Sequence, residues 1–266
     1  MISGLYTAAS GLISETYKQD VIANNLANVN TTGYKKDRTL YITFPTVFLY
    51  RINDEKMKIP GAATADVLTP IGEMGRGVQL RYDGIQPTIT EEGSYIETQN
   101  KLDFAIKGNG MFVVNTPFGI RYTRDGNFTL DNDYKLVTKN GYAVLGNRGE
   151  ITLEGTEIYV DEAGNIFMDE QEIDSFRIAL FDEQSKLRKQ GDNLFYLLDG
   201  GLLPENEEGS DIQIRQGYLE TSNVNVVREM VDMITAYRSY EASQKAIQAQ
   251  DQTLNRAVND IGNISI

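Results

Sequence analysis

Two segments of the chain space their apolar residues by alternating steps of three and four, and they lie near its two ends. From Ile2 to about Asn30, the positions Leu5, Ala9, Leu12, Thr16, Gln19, Ala23 and Leu26 trace a heptad seam with two weak members. Gly33 in NTTGY supplies the stop, because glycine adopts the left-handed conformation that ends many helices. In the second segment the seam runs through Met230, Met233, Tyr237, Tyr240, Gln244, Ile247, Asp251, Leu254, Val258 and Ile261, and no proline or glycine interrupts it before Gly262. Asn225 is placed to cap that helix, and Glu229 lies near the positive end of its dipole. About 36 residues at roughly 1.5 Å each predict a rod on the order of 54 Å long.

Between Lys101 and about Asp182 the pattern changes to short β-rich runs such as DFAIKG, MFVVN, GIRYT, KLVT and FRIALF. Asn109-Gly110, Asp125-Gly126-Asn127, Asn140-Gly141, Asn147-Arg148-Gly149 and Ala163-Gly164-Asn165 separate them, which predicts an antiparallel meander, sandwich or partly open barrel. Four of the six prolines, Pro45, Pro60, Pro70 and Pro87, fall in the stretch before this body. That stretch reads as an extended connector with a few strands. The fold class is therefore α+β, with long N- and C-terminal helices packed together in a coiled-coil-like way and a central, mainly antiparallel all-β domain. The divisions are 1–33 (first helix), 34–100 (connector), 101–202 (β domain), 203–224 (return connector) and 225–262 (second helix).

A helix pair with no third neighbour leaves much apolar surface wet, so this plan points to self-association through the chain ends. The segment DVIANNLANVNTTGYKKD adds a second signal. Ile22, Leu26 and Val29 share a helical face, yet Asn24, Asn25 and Asn28 crowd beside it. Asparagine is a poor helix former whose amide competes for backbone partners, so amides at this density need something to bind. Asn30, with Thr31, Thr32 and Gly33, reads as the helix exit.

Composition narrows the chemistry. The 266 residues include no cysteine, histidine or tryptophan, which removes disulfides, thiol and histidine-based catalysis, and the usual zinc, haem and copper ligands. The net charge of -13, concentrated between about Glu150 and Glu208, repels phosphate backbones and anionic lipid, so neither nucleic acid nor stable membrane insertion is expected. No apolar run approaches the ~18 residues of a membrane span. Ser3, Ser10, Ser14 and Glu15 interrupt an N-terminus that has no basic flank, a poor match to a cleaved secretory signal. Composition alone thus reads as cytoplasmic, unless a route that needs no such signal exports the chain.

GEMGRGVQL and GNGMFV lack the full dinucleotide fingerprint, and DNDYK lacks the glycine and terminal glutamate of a calcium loop. The carboxylate pairs Glu91-Glu92 and Asp182-Glu183 point to opposite faces if they lie in strands. Met230, Met233, Tyr237 and Tyr240 read as helix packing with the tyrosine hydroxyls at the rim. No catalytic residue, cofactor or metal ligand is expected.

IANNLANVNTTGYKKD, AIKGNGMFVV, YTRDGNFTLD, LVTKNGYAVLG and GYLETSNVNVVREMVDMITAYRSYEASQKAI together resemble the bacterial flagellar basal-body rod proteins of the FlgF and FlgG type, relatives of the hook protein. The resemblance implies that the terminal helices form the inner tube of a helical axis, with the β domain outside. It also implies passage through the flagellar type III export apparatus without a cleaved signal, an extracytoplasmic place in the basal body, and other copies and neighbouring rod or hook proteins as partners. The residues expected to carry assembly are Leu5, Leu12, Ile22, Asn24, Asn25, Leu26, Asn28 and Val29 in the first helix and Val227, Met230, Met233, Ile234, Tyr237, Tyr240, Ile247 and Leu254 in the second. Asn24, Asn25 and Asn28 are expected to bond neighbouring subunits and fix register, as one buried asparagine does in a coiled coil. Proximal and distal rod positions both fit. The alternatives are a hook-type axial protein and, more distantly, a secreted carbohydrate-active β-domain protein or an adhesin with helical anchors.

Overall fold

The computed structural model describes residues 2–43, 48–57, 65–73, 78–89, 91–155, 157–169, 171–181, 187–197 and 212–262. The pair Asp182-Glu183 and the acidic run LPENEEGSD lie outside these residues. Helix α1 spans Ile2–Ala27 and helix α2 spans Val226–Gly262, and the chain between them is β-structured, so the architecture is α+β with a mostly antiparallel centre.

Four strands occupy the expected connector: β1 (Asp37–Thr43), β2 (Phe48–Met57), β3 (Ala65–Glu73) and β4 (Val78–Pro87). β2 pairs with β3 in antiparallel register, and β1 pairs with β4. There follow β5 (Tyr95–Glu97), β6 (Phe104–Lys107), β7 (Gly110–Thr116), β8 (Gly119–Thr123), β9 (Phe128–Leu130), β10 (Leu136–Thr138), β11 (Ala143–Val144) and β12 (Ile158–Val160). The series ends with β13 (Asn165–Met168), β14 (Gln171–Ser175), β15 (Ile178–Leu180), β16 (Leu187–Gly191), β17 (Leu194–Leu197), β18 (Gln213–Gln216) and β19 (Tyr218–Glu220).

The chain divides into two compact units. One comprises Met1–Val21, Thr39–Gly84 and Val231–Ile266, the other Ile22–Arg38 and Ile85–Met230. In the first unit the helices run antiparallel and touch through small residues. A Cβ on Gly4 would collide with the Gln250 amide, and one on Gly11 would meet the Ser243 hydroxyl at 3.6 Å. Both steps are seven residues, so the approach repeats once per heptad.

The second unit holds the β core. β7 lies between β8 and β11 and also pairs with β15, and β17 with β16 extends the sheet past β8. Alternate β7 residues feed two clusters. Phe112 and Val114 join Phe104, Phe128, Leu136 and Phe176, while Met111 and Val113 join Tyr122, Leu187 and Phe195 on the other face. Phe112 meets Phe128 and Phe176 edge to face at 5.1 and 5.4 Å, the orientation favoured by the ring quadrupoles.

The Asn-Gly and Asp-Gly signals divide into two kinds. Asn140-Gly141 closes the β10–β11 hairpin, and Ala163-Gly164 closes β12–β13. Asn109-Gly110 and Asp125-Gly126 close none, since β6 pairs with β18 and β9 with β10. These glycines serve close packing instead. A Cβ on Gly126 would collide with the carbonyl oxygen of Phe104, and one on Gly110 would press on the Ile178 side chain.

Candidate assembly site

The covered residues of each helix follow the expected seam only in part: Leu5, Ala9, Leu12, Gln19 and Leu26 of α1 and Met233, Tyr240, Ile247 and Leu254 of α2 have cover. On α1, Thr16 and Ala23 of that seam are exposed, while Gly4, Ala8, Gly11, Glu15, Lys18, Ile22 and Asn25 all have cover. On α2, the covered line is Glu229, Met233, Ala236, Tyr240, Ser243, Ile247, Gln250, Leu254 and Ala257. Seam members Met230, Tyr237, Gln244, Asp251 and Val258 face outward. The physical reason is size: Gly4, Gly11, Ala236 and Ser243 permit close approach, whereas hydropathy ranks the larger side chains above them.

The expected assembly residues therefore fall into two sets. Met233, Tyr240, Ile247 and Leu254 lie on the covered side of α2, and Leu5, Leu12, Leu26, Asn28 and Val29 are half-buried on or just beyond α1. Val227, Met230, Ile234 and Tyr237 are exposed, Val227 at 73% and Ile234 at 54%, and at helical spacing they form one apolar stripe. Ile22 is buried.

The asparagines do not form a uniform polar strip. α1 ends at Ala27, three residues short of the expected boundary, where the Asn28 amide donates to the Asn24 carbonyl at 2.8 Å and competes with the next helical bond. Asn24 is exposed and accepts from the Tyr34 hydroxyl at 2.9 Å. Asn25 is 2% exposed and is used inside the chain. Its amide donates to the Asp37 carbonyl at 2.9 Å and to Glu229 at 3.4 Å, and its oxygen accepts from the Asp37 N–H at 2.8 Å and the Tyr34 hydroxyl at 3.1 Å. The Asn25–Glu229 bond joins the last turn of α1 to the first turn of α2. As expected, Asn225 caps that turn by accepting the Arg228 N–H at 3.0 Å.

Gly33 lies beyond the helix end and has another role. Its φ is +66°, its N–H donates to the Glu220 carbonyl at 2.8 Å, and a Cβ there would collide with the backbone of Arg124 and Asp125.

An ion network that sequence reasoning missed lies beside this crossing. The Glu220 carboxylate accepts from Lys35 Nζ at 2.7 Å, from the Gly93 N–H at 2.8 Å and from Arg124 Nε. All three charged side chains are about 1% exposed. Arg124 also donates to the carbonyls of Gly110 and Ile106, and Lys35 donates to that of Glu91 at 2.8 Å. Burial lowers the Lys35 pKa, with Glu220 opposing. Lys189 forms the next link: it donates to the Lys35 carbonyl at 2.6 Å, pairs with Asp37 at 2.9 Å and sits 3.9 Å over the Tyr34 ring. The available signal was that the charged residues of TGYKKD, YTRDG and GYLETSN sit within otherwise uncharged motif segments.

The discounted segments have ordinary structural partners. Tyr134 N–H donates to the Asp131 carbonyl at 3.0 Å, so DNDYK forms a turn. Glu91 pairs with Lys36 at 2.8 Å, and Glu92 accepts from the Tyr95 hydroxyl and the Gly108 N–H at 2.9 Å each.

The exposed apolar stripe of α2 and the buried network of Lys35, Arg124 and Glu220 are the two features that stand out among the described residues. Three family models match in this order: Flagella basal body rod protein at residues 5–35, Flagellar hook protein FlgE/F/G D1 domain at 105–168, and Flagellar basal body rod FlgEFG protein C-terminal at 215–260. The chain is 36% identical to the flagellar basal-body rod protein FlgG of Borreliella burgdorferi, across 97% of this chain and 98% of that one. It is 36% identical to FlgG of Agrobacterium fabrum over 93% and 95%, and 32% identical to the flagellar hook-basal body complex protein FlhO of Bacillus subtilis over 99% and 100%. The chain belongs to the family of flagellar basal-body rod proteins of the FlgF and FlgG type.

Proposed function

We propose that the chain is a structural, non-catalytic subunit of the flagellar basal-body rod, polymerising through its terminal helices with copies of itself and with neighbouring rod or hook proteins. The observation that carries this reading is the exposed stripe Val227, Met230, Ile234 and Tyr237, in a chain aligned nearly end to end with rod proteins. An uncovered apolar face of this kind marks an interaction surface, and heterologous contacts that do not close into a ring generate a helical filament. Residues 1–33 and 225–262 act as the assembling arms, packed in a coiled-coil-like manner. Residues 34–100 and 203–224 connect them to the β domain at 101–202. The subunit reaches the axis through the flagellar type III apparatus without a cleaved signal.

Immunogold labelling of the tagged full-length chain in purified basal bodies tests this. Label along the rod is expected, and its position distinguishes proximal from distal. Label on the hook would favour the hook-type alternative, and chain absent from basal bodies would overturn the axial reading.

A further inference from the structure

Four stretches far apart in sequence converge on one polar cleft of about 520 Å³, all of them within the unit that holds the β core. Asn30 and Thr32 come from the segment beyond α1, Asp125 from the link between β8 and β9, Lys139 and Asn140 from the β10–β11 turn, and Asn193 from the β16–β17 turn. The volume lies in the range of small-ligand sites, about 300–1,000 Å³. Part of the lining is fixed by its own bonds. The Thr32 hydroxyl donates to Asp125 Oδ1 at 2.8 Å, the Asn127 N–H donates to the same oxygen at 3.1 Å, and the Asn193 amide donates to the Thr32 carbonyl at 2.9 Å. Asp192 and Asn193, at φ of +52° and +55°, make the two-residue turn between Gly191 and Leu194 that sets this wall. The rest of the lining is unused. Asp125 Oδ2 and the side chains of Asn30, Lys139, Asn140 and Asp192 make no hydrogen bond or ion pair among the described residues.

We propose that this cleft binds a short, uncharged oligosaccharide, with Asp125 Oδ2 and the Asn30 and Asn140 amides as its hydrogen-bonding groups. The chemistry of the lining selects that class. Leu194 is its single apolar member among the described residues, so an aromatic ligand, a lipid or the side chains of a peptide find no surface to bury. Lys139 is its one cation against Asp125 and Asp192, which disfavours phosphate and other anions. A bare metal ion is disfavoured in turn, because the Lys139 ammonium shares the cleft and the described residues hold no group of three carboxylates placed to ligate one. A polyol fits what remains. Each sugar hydroxyl both donates and accepts, an asparagine amide offers one group of each kind to two adjacent hydroxyls, and a carboxylate oxygen accepts from a third. The site is independent of the axial reading, since it lies apart from the exposed stripe of α2.

Saturation-transfer NMR on the purified full-length chain, with cellotriose, maltotriose and chitotriose as probes at up to about 10 mM, tests this. Transfer to at least one trisaccharide is expected. Its affinity should fall about tenfold or more in the double variant Asn30→Ala, Asn140→Ala, which removes two hydrogen-bonding amides. Both side chains are exposed and unbonded, so the urea-unfolding midpoint of that variant should stay parental. Parallel titrations with calcium chloride and with inorganic phosphate should leave the backbone amide resonances of Asn30, Asn127 and Asn140 unmoved. No transfer to any of the three trisaccharides, undiminished binding by the double variant, or a response of those resonances to calcium or phosphate alone would each overturn the proposal.

Discussion

Three amides within five residues of the α1 exit have separate roles: Asn28 caps a carbonyl, Asn24 faces solvent beside Tyr34, and Asn25 ties α1 to Asp37 and Glu229. Their density was legible in the sequence as a demand for partners. Its resolution was not, because which of Asn24, Asn25 and Asn28 turns inward depends on where Tyr34 and Glu229 arrive from distant parts of the chain. Asn25→Ala orphans the buried donors and acceptor that it now satisfies and is expected to lower stability by about 1–3 kcal/mol in urea unfolding. Asn28→Ala, at the half-exposed exit, is expected to cost under about 1 kcal/mol. Glu220 sits at higher stakes: Glu220→Ala leaves the Lys35 and Arg124 charges buried without their counterion, with an expected loss of about 3–5 kcal/mol. Asp125 gives a pH test. Burial holds its carboxyl above the ordinary value of 3.8, despite the bonds it accepts from Thr32 and Asn127. The folded state therefore binds that proton more tightly, and the resulting stability is full below 3.8 and lost as pH rises through the native value. Asp125→Asn retains an acceptor and removes the ionisation, so its stability relative to the parent chain should rise as pH climbs from 3.8 through the raised native value. A difference that is flat with pH would contradict this.

At the scale of elements, periodicity located both helices, but it favoured the large side chains at Met230 and Tyr237 over Ala236 and Ser243. Hydropathy marks what an apolar stripe can bury. It does not tell the neighbour inside the chain from the neighbour outside it. The short strands were legible from their turn residues only where a turn was what the glycine served, as at Gly141, and not at Gly126, where the constraint is a crossing backbone. The crossing at Asn25 also bears on the free chain. If the arms order only on assembly, hydrogen exchange should be fast over Leu5–Leu12 and the distal half of α2, and slow at Ile22–Asn25 and around Glu229. Uniformly strong protection along both helices would contradict that picture.

For the whole molecule, the axial reading came from motif order, and alignment with rod proteins over nearly the full length supports it. The buried network of Lys35, Arg124 and Glu220 was not legible, since those residues are separated by most of the chain and look individually like solvated charges. If the exposed stripe of α2 serves assembly rather than folding, substitution within it should separate the two. The measurement is recovery of the doubly substituted chain Met230→Asp, Ile234→Asp in purified basal bodies, alongside its urea-unfolding midpoint. A near-parental midpoint is expected, because both side chains are exposed, together with loss of the chain from basal bodies. Parental recovery in basal bodies would contradict it.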